Sequence, residues 1–370
     1  KGNKLVIVVS AMGKTTDNLI EMAKKVHRCP PEEEMDILLS TGEMVSVAML
    51  CMAIENLGEK AEGFPGYFAG IKTDNSHTKA LIQTIEPSRI LKQLEEDSIV
   101  VIAGFQGISP ENTITTLGRG GSDTTAVALA AKLGAQCEIY TDVDGVYTID
   151  PRLYPRARKL DCISYEEMLE MASSGASVMH SRSIELAEKY KVPVLVALSR
   201  GDIPGTIIKE MDNTMENTAI TGLAVNNDEA IITLNGVPHD IKVIAEIFQS
   251  IANKYINIDM ISQTFPVNKL VSISFTLPKT DLYQASMILD RFKEKIFTFS
   301  YEACDNITKL SVVGLGMNTQ SGVAAKVFNL LAENNIPVSI VTTSEIKISY
   351  VISPDDQKKA IEAIAKEFDL

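Results

Sequence analysis

The residues from Thr115 to Arg152, TTLGRGGSDTTAVALAAKLGAQCEIYTDVDGVYTIDPR, hold two polar loops whose composition suits phosphate chemistry. In the first, Gly120 and Gly121 bring bare backbone N–H groups within reach of an anion. The positive end of the helix that follows favours negative charge at the same place. Arg119 adds a guanidinium fork matched to a carboxylate or phosphate. Ser122 reads as the N-cap of that helix, TTAVALAAKL as its body and Gly134 as its stop. CEIY reads as a buried strand. TDVDGVYTIDPR leaves its carboxyl end, where open α/β sheets bind ligands. Each piece also has a plainer account. A glycine-rich turn before a helix is often only a tight turn, and Asp144-Gly145 is a good β-turn pair. The alternating acidic ligands of a calcium loop are missing. GRGGSD has the spacing of neither a Walker loop nor a dinucleotide fingerprint. The residues alone give an anion site, with phosphate its best occupant.

The elements that would carry these loops follow in order. Leu5 to Val9 is a β-branched run, read as a buried parallel strand. The loop SAMGKTTD leaves it, and a helix runs from Asn18 to Val26, with Thr15 and Thr16 as helix-start residues. EEEMD after Pro30 and Pro31 reads as a solvated helix start. ILLSTGEMVSVAMLCMAIENLG reads as a long apolar helix with Glu43 in its first turn, where a carboxylate is favourable without further purpose. Residues 60–70 read as loop and 90–96 as helix. SIVVIAGFQGIS reads as a strand ending in a glycine turn. Strands that end in polar or glycine loops and alternate with helices make a doubly wound α/β layer. SYEEMLEMASSG reads as helix, His180 as a structural residue and VPVLVALS as a further strand. The tail repeats itself: Phe248, Ala252 and Ile256 align with Phe328, Ala332 and Ile336, each within strand, loop, helix, strand.

The chain has 370 residues, 45% hydrophobic and 22% charged, with a formal charge of −13. That length favours two or three domains. That charge disfavours nucleic acid and anionic membranes as partners. No apolar run reads as approaching the ~20 residues of a membrane helix, and no signal peptide is visible. Cys29, Cys51, Cys137, Cys162 and Cys304 are scattered without metal spacing, so they read as reduced thiols of a cytoplasmic protein.

TTLGRGGSDTTA followed by TDVDGVYTIDPR resembles the active-site core of the aspartate kinases, within the amino-acid kinase family. VVSAMGKTTDNL, LLSTGE, AGFQG and TSEIKIS extend the resemblance over essentially the whole chain. It implies a three-layer α/β amino-acid kinase fold with a mainly parallel sheet, over residues 1–212. Two ferredoxin-like βαβ (ACT) regulatory domains follow, over 217–298 and 303–370. It implies transfer of a phosphoryl group from ATP, with Mg2+, to the β-carboxylate of L-aspartate. Arg119 then clamps the substrate α-carboxylate and Glu43 its ammonium, Thr16 and Ser122 add hydrogen bonds, and Gly120 and Gly121 supply backbone donors. Asp123 orients groups around the phosphoryl. Thr141, Asp142, Tyr147 and Arg152 contact the nucleotide, and no residue is expected to bind metal on its own. Lysine or threonine is the expected effector, at Asp259 and Gln263, where the first strand–helix loop of the tail meets NIDMISQ. Pairing of ACT domains implies a homodimer or larger. The resemblance also implies a first strand and a Lys-Phe-Gly-Gly loop upstream of Lys1. Where the family has a GAKVLHP pattern, Ser177 and Ser181 replace its lysine and proline. Other readings are a kinase for glutamate, acetylglutamate, carbamate or a nucleotide, and a non-catalytic amino-acid sensor of the same fold.

Overall fold

The computed structural model describes residues 2–176, 178–211, 219–318 and 320–370. Ser177 therefore lies outside the described residues. The chain divides into two compact units. The first comprises Lys1–Val146, Asp161–Leu169 and Ser177–Met211, the second Tyr147–Leu160, Glu170–Ala176 and Asp212–Leu370.

Through the first unit the elements run β1 (Val6–Val9), α1 (Thr15–Val26), α2 (Glu32–Asn56), β2 (Ala61–Phe64), β3 (Ile71–Thr73), β4 (Ile82–Ile85), α3 (Ser88–Glu95), β5 (Ile99–Ala103), β6 (Gln106–Ile108) and β7 (Ile114–Thr116). They continue with α4 (Gly121–Leu133), β8 (Cys137–Thr141), β9 (Cys162–Ile163), α5 (Tyr165–Ser173), α6 (Ser181–Tyr190), β10 (Val194–Leu198) and β11 (Thr206–Ile208). β1, β5 and β2 form a parallel sheet with β5 in the middle. The alternation of β5 builds three layers. Val100 and Ile102 pack with α3 and α4 on one face, and Val101 and Ala103 pack with Val47 and Ile54 of α2 on the other. β8 and β10 pair in parallel in a second sheet, β8-β10-β11-β9. A small mixed sheet, β4-β3-β6-β7, carries the chain towards the glycine-rich turn. This is the α/β layering expected from the alternation of strands and helices.

Several local expectations fail for identifiable reasons. The stretch 60–70 holds strand β2, hidden by glycines that read as loop. Gly63 is required there, because a Cβ would lie 2.6 Å from Val47 Cγ1 of α2. CEIY is not a buried strand: β8 lies at a sheet edge and Tyr140 is 59% exposed. EEEMD is a solvated helix start as read, but the start of α2 itself, which runs on unbroken over 25 residues through the apolar stretch. With a mean hydropathy of 1.9 in its most apolar window, α2 is long and apolar enough to cross a membrane, contrary to the composition reading. Polar residues had masked that run, yet here Asp36, Ser40, Glu43 and Ser46 are buried.

The second unit contains β12 (Gly222–Asn226), β13 (Glu229–Pro238), α7 (Ile241–Ala252), β14 (Asp259–Gln263), β15 (Leu270–Pro278), α8 (Leu282–Lys295), β16 (Ser300–Cys304), β17 (Thr308–Val313), α9 (Val323–Glu333), β18 (Ile340–Thr343), β19 (Lys347–Ile352) and α10 (Gln357–Phe368). The sheets are β14-β15-β13-β16 and β12-β17-β19-β18. The sequence repeat is a repeat of packing. Phe248 of α7 meets Phe275 edge-on at 5.7 Å, and Phe328 of α9 meets Tyr350 edge-on at 5.4 Å. Ile256 and Ile336 are 5% and 4% exposed at matching positions.

One ion cluster in this unit is buried. Lys309 of β17 is 1% exposed, its ammonium bonds Glu229, and it reaches Asp259 at 3.0 Å. Removing one partner of a buried pair leaves the other uncompensated and typically costs ~3–5 kcal/mol. Lys309→Met should therefore lower the urea midpoint of the second unit. Adding Glu229→Gln should restore most of the loss, as followed by fluorescence or circular dichroism.

Candidate active site

Glu43 lies near the middle of α2, so a favourable charge at a helix start does not explain it. It is 4% exposed. Its Oε1 accepts the Ala11 N–H at 3.1 Å, while Oε2 is buried with no hydrogen-bond partner among the described residues. Burial pushes its carboxyl up, and the backbone N–H groups of Glu43 and Ala11 only partly offset this. A buried carboxylate oxygen left unpaired in a native fold is a place for a ligand cation or donor. Gly42 permits the close approach of the Ala11 loop, because a Cβ would lie 2.9 Å from Ala11 Cβ. Thr15 opens α1 and donates its hydroxyl to the Met12 carbonyl at 2.7 Å; Thr16 follows it in the first turn.

The neighbouring carboxyl ends of β1 and β5 join this loop to the glycine-rich turn. Val9 and Ala103 are register partners, and Gly104 donates to the Val9 carbonyl at 3.0 Å. A Cβ at Gly104 would lie 2.8 Å from Ser122 Oγ, so the missing side chain admits the start of α4. Phe105 donates to Thr125 Oγ1 at 3.1 Å and accepts the Leu117 N–H at 2.8 Å.

The N-cap of α4 is Gly120 (φ 67), not Ser122. A left-handed residue is needed to enter this helix, and glycine adopts it without strain. Ser122 falls in the first turn with no capping bond, and its hydroxyl makes no hydrogen bond among the described residues. Gly134 (φ 63) ends the helix as read from the sequence. Arg119 is exposed and makes no hydrogen bond or ion pair among the described residues. His180 caps α6, and its Nδ1 accepts the Arg182 N–H at 3.4 Å. Burial, Arg182 and Arg119 hold its imidazole below the ordinary range. At the glycine turn Arg119 thus stays available to an anion, whereas Arg182 is committed to backbone carbonyls and His180 is held below its ordinary range. His180 and Arg182 were not singled out for it, because their place depends on packing between distant segments.

Asp123 lies in the first turn of α4, where burial pushes its carboxyl up to about 6. Thr141 ends β8, donates its hydroxyl to Asp142 Oδ1 at 3.0 Å and accepts the Ser199 N–H at 2.9 Å. Tyr147 and Arg152 belong to the second unit. There Tyr147 bridges Lys159, and Arg152 forks onto Asp150 at 2.6–3.1 Å, which holds that carboxyl below its usual range. Among the described residues no three His, Cys, Asp or Glu side chains are grouped to hold a metal ion.

In the tail, Asp259 and Gln263 are the two ends of β14. The register sets Asp259 beside Thr276 and Gln263 beside Ile273. Antiparallel pairing places the strand–helix loop after Pro238 next to Leu270, at the far end of the sheet from Asp259. Asp259 therefore does not meet that loop, contrary to expectation. Its carboxylate bonds Lys309; burial raises its pKa, but Lys309 and Lys347 outweigh that and hold it low. A cavity of about 260 Å3 is lined there by Glu229, Asn257, Asp259, Pro278 and Lys347.

The Asp123 shift has a defined sign. Its folded pKa exceeds the unfolded value, so ionising it costs stability that sets in as the pH rises through about 3.8 and is complete above about 6, reaching ~3 kcal/mol. Asp123→Asn should raise the melting temperature at pH 8, and the gain should shrink below pH 6 and all but vanish near pH 3, where the native residue is protonated in both states. Thermal melts of the two proteins at both pH values measure this.

Residues 1–197 match the amino acid kinase family and residues 310–368 an ACT domain. An aspartokinase of Bacillus sp. (strain MGA3) is 45% identical over all of this chain and 90% of its own length. E. coli aspartokinase III, solved in complex with aspartate and ADP, superposes with a TM-score of 0.80 at 24% identity, covering 96% of this chain and 80% of that one. The same enzyme in complex with lysine and aspartate gives 0.73 at 24% identity, covering 95% and 79%. These two structures share the fold, and the full-length identity with the Bacillus enzyme sets the family: the chain belongs to the aspartokinases, a branch of the amino acid kinase family.

Proposed function

We propose that this enzyme transfers the γ-phosphoryl group of ATP to the β-carboxylate of L-aspartate, giving 4-phospho-L-aspartate and ADP. The observation that carries the reading is the buried Oε2 of Glu43, unpartnered among the described residues, beside the Ala11 loop that the paired ends of β1 and β5 join to the turn bearing the unpaired Arg119. An anionic oxygen and a free guanidinium complement the ammonium and α-carboxylate of an amino acid. Ser122 and Thr16 lie on the helix starts beside them. The attacking carboxylate has an ordinary pKa of about 4, so it is ionised at pH 7 and needs no general base. The protein then contributes position and charge. Gly120 and the α4 N-terminus offer N–H groups to the transferring phosphoryl, whereas the Gly121 N–H, expected to join them, is donated to the Gly118 carbonyl at 3.0 Å. Asp123 orders the groups around it. Thr141 and Asp142 take the nucleotide, and magnesium bound to the ATP phosphates would supply charge neutralisation there.

We further propose one catalytic domain followed by two ACT domains; the expected bounds 217–298 and 303–370 do not separate these, because β12 completes the sheet of the second copy and β16 that of the first. The tail serves feedback by lysine or threonine, end products of the pathway the reaction opens. The lysine complex of E. coli aspartokinase III supports that reading.

An ADP-release assay with MgATP should show turnover with aspartate and none with glutamate or without acceptor; acceptor-independent rates would overturn the proposal. Arg119→Ala should lower kcat/KM for aspartate by roughly ten- to hundredfold, the worth of a charge-assisted pair, with KM for ATP nearly unchanged. Asp259 stays a candidate through the cavity it lines rather than through that loop, so Asp259→Ala should retain activity and weaken inhibition by lysine or threonine. An unchanged inhibition curve removes Asp259 from the effector site.

A further inference from the structure

Arg182 is the least accounted-for charge of the first unit. It sits in the first turn of α6, half-buried, and burial lowers its pKa. Among the described residues it makes no ion pair. Both arms of its guanidinium end on backbone carbonyls. One donates to Leu117 O at 2.8 Å and the other to Ala80 O at 2.7 Å. Taking a cation partly out of water without a carboxylate is unfavourable, so its retention needs a reason.

The two carbonyls supply one. Leu117 immediately precedes Gly118-Arg119-Gly120, and Ala80 ends the loop packed against that turn. Ala80 N–H bonds Thr116 O at 2.9 Å, and a Cβ at Gly118 would lie 3.1 Å from Thr78 O. The loop is fixed from the other side by Asp36 of α2, fully buried. Its carboxylate accepts Thr78 N–H at 3.0 and 3.1 Å and Thr116 Oγ1 at 2.5 Å, and lies 2.7 Å from His77 Nδ1. Gly118 (φ 80) and Gly120 (φ 67) leave the turn little stiffness of its own. Its shape is therefore imposed by its neighbours, and Arg182 is the only described side chain that joins the turn to the loop by forked bonds to both.

We propose that Arg182 is a positioning residue for the acceptor amino acid. By bridging Leu117 O and Ala80 O it sets the turn so that Arg119 faces the substrate α-carboxylate. Its charge also stands beside the His180 imidazole next to Gly120, which burial first, and then Arg182 and Arg119, hold below its ordinary range. The inference rests on the acceptor reading above and deepens it. A lysine has the charge but not the fork, and a glutamine has a donor but neither fork nor charge. The two substitutions therefore separate geometry from charge.

The test compares wild type, Arg182→Lys and Arg182→Gln in the ADP-release assay, with imidazole titration of His180 by NMR. Wild-type turnover with aspartate tests the acceptor reading by itself. Given that turnover, both variants should raise KM for aspartate roughly ten- to hundredfold, as expected for a displaced positioning group, with KM for ATP within about twofold. His180 should titrate at higher pH in Arg182→Gln than in wild type or Arg182→Lys. Native circular dichroism with both KM values unchanged, or with both raised in parallel, would overturn the proposal. If Arg182→Gln does not fold, Arg182→Lys alone decides it, through the aspartate and ATP KM values. A His180 titration that ignores the charge at 182 would overturn the electrostatic half.

Discussion

Two carboxylates buried on one face of α2, two helical turns apart, fix where the loops of the first unit go. Asp36 is saturated. It takes the N–H of Thr78, the hydroxyl of Thr116 and the ring of His77, and needs nothing more. Glu43 is half saturated, with one oxygen on Ala11 and the other on nothing. The same chemical group on the same helix thus plays two parts, and hydrogen-bond bookkeeping tells them apart. A buried acceptor with every lone pair answered is architecture, whereas one left open is poised for something that arrives later. Because both hang from one rigid helix, the Ala11 loop and the Thr78 loop cannot move independently. The glycine-rich turn lies against the second of these loops.

The turn could be read from the sequence because glycines and a helix start are local signals. Gly120 and Gly134 take the left-handed conformations that only glycine adopts freely, and the helix between them ends where its composition says. Ser122 was misread for the same reason. A serine before a helical run is a good cap in isolation, but the chain entered α4 through Gly120 and left the hydroxyl uncommitted. Glu43 was recognisable as a residue and misplaced as an element, since Pro30 and the acidic run concealed a helix already under way. β2 was invisible because Gly63 answers to Val47 across the layer rather than to its own neighbours. Arg182 and His180 carried no local signal, because what matters is the backbone they reach, far away in sequence.

The repeat in the tail was legible through its aromatic spacing, and packing explains why it persists. In each copy a helix phenylalanine stands edge-on to an aromatic of the third strand, which fixes how the helix lies across its sheet. What the alignment could not give is the exchange at the edges. β12 precedes the first copy in the chain yet pairs with β17 of the second. The second copy therefore cannot be cut out along the sequence without losing β12 and opening an edge of its sheet.

That coupling bears on Asp259. Its place was inferred from a motif, and the motif is at one end of β14, but its charge is already answered by Lys309 of the other copy. Lys309 is buried and holds Glu229 as well. An ammonium-bearing ligand that reached Asp259 would displace part of this pairing, and its binding energy would be reduced by whatever the displaced lysine loses. Asp259 is half-exposed and can be shared with water, whereas Glu229 is not. The less costly arrangement keeps Lys309 on Glu229 and frees only Asp259. A ligand in the adjoining cavity would thus be read as a change in the bond between two repeated modules rather than as a new contact to one of them.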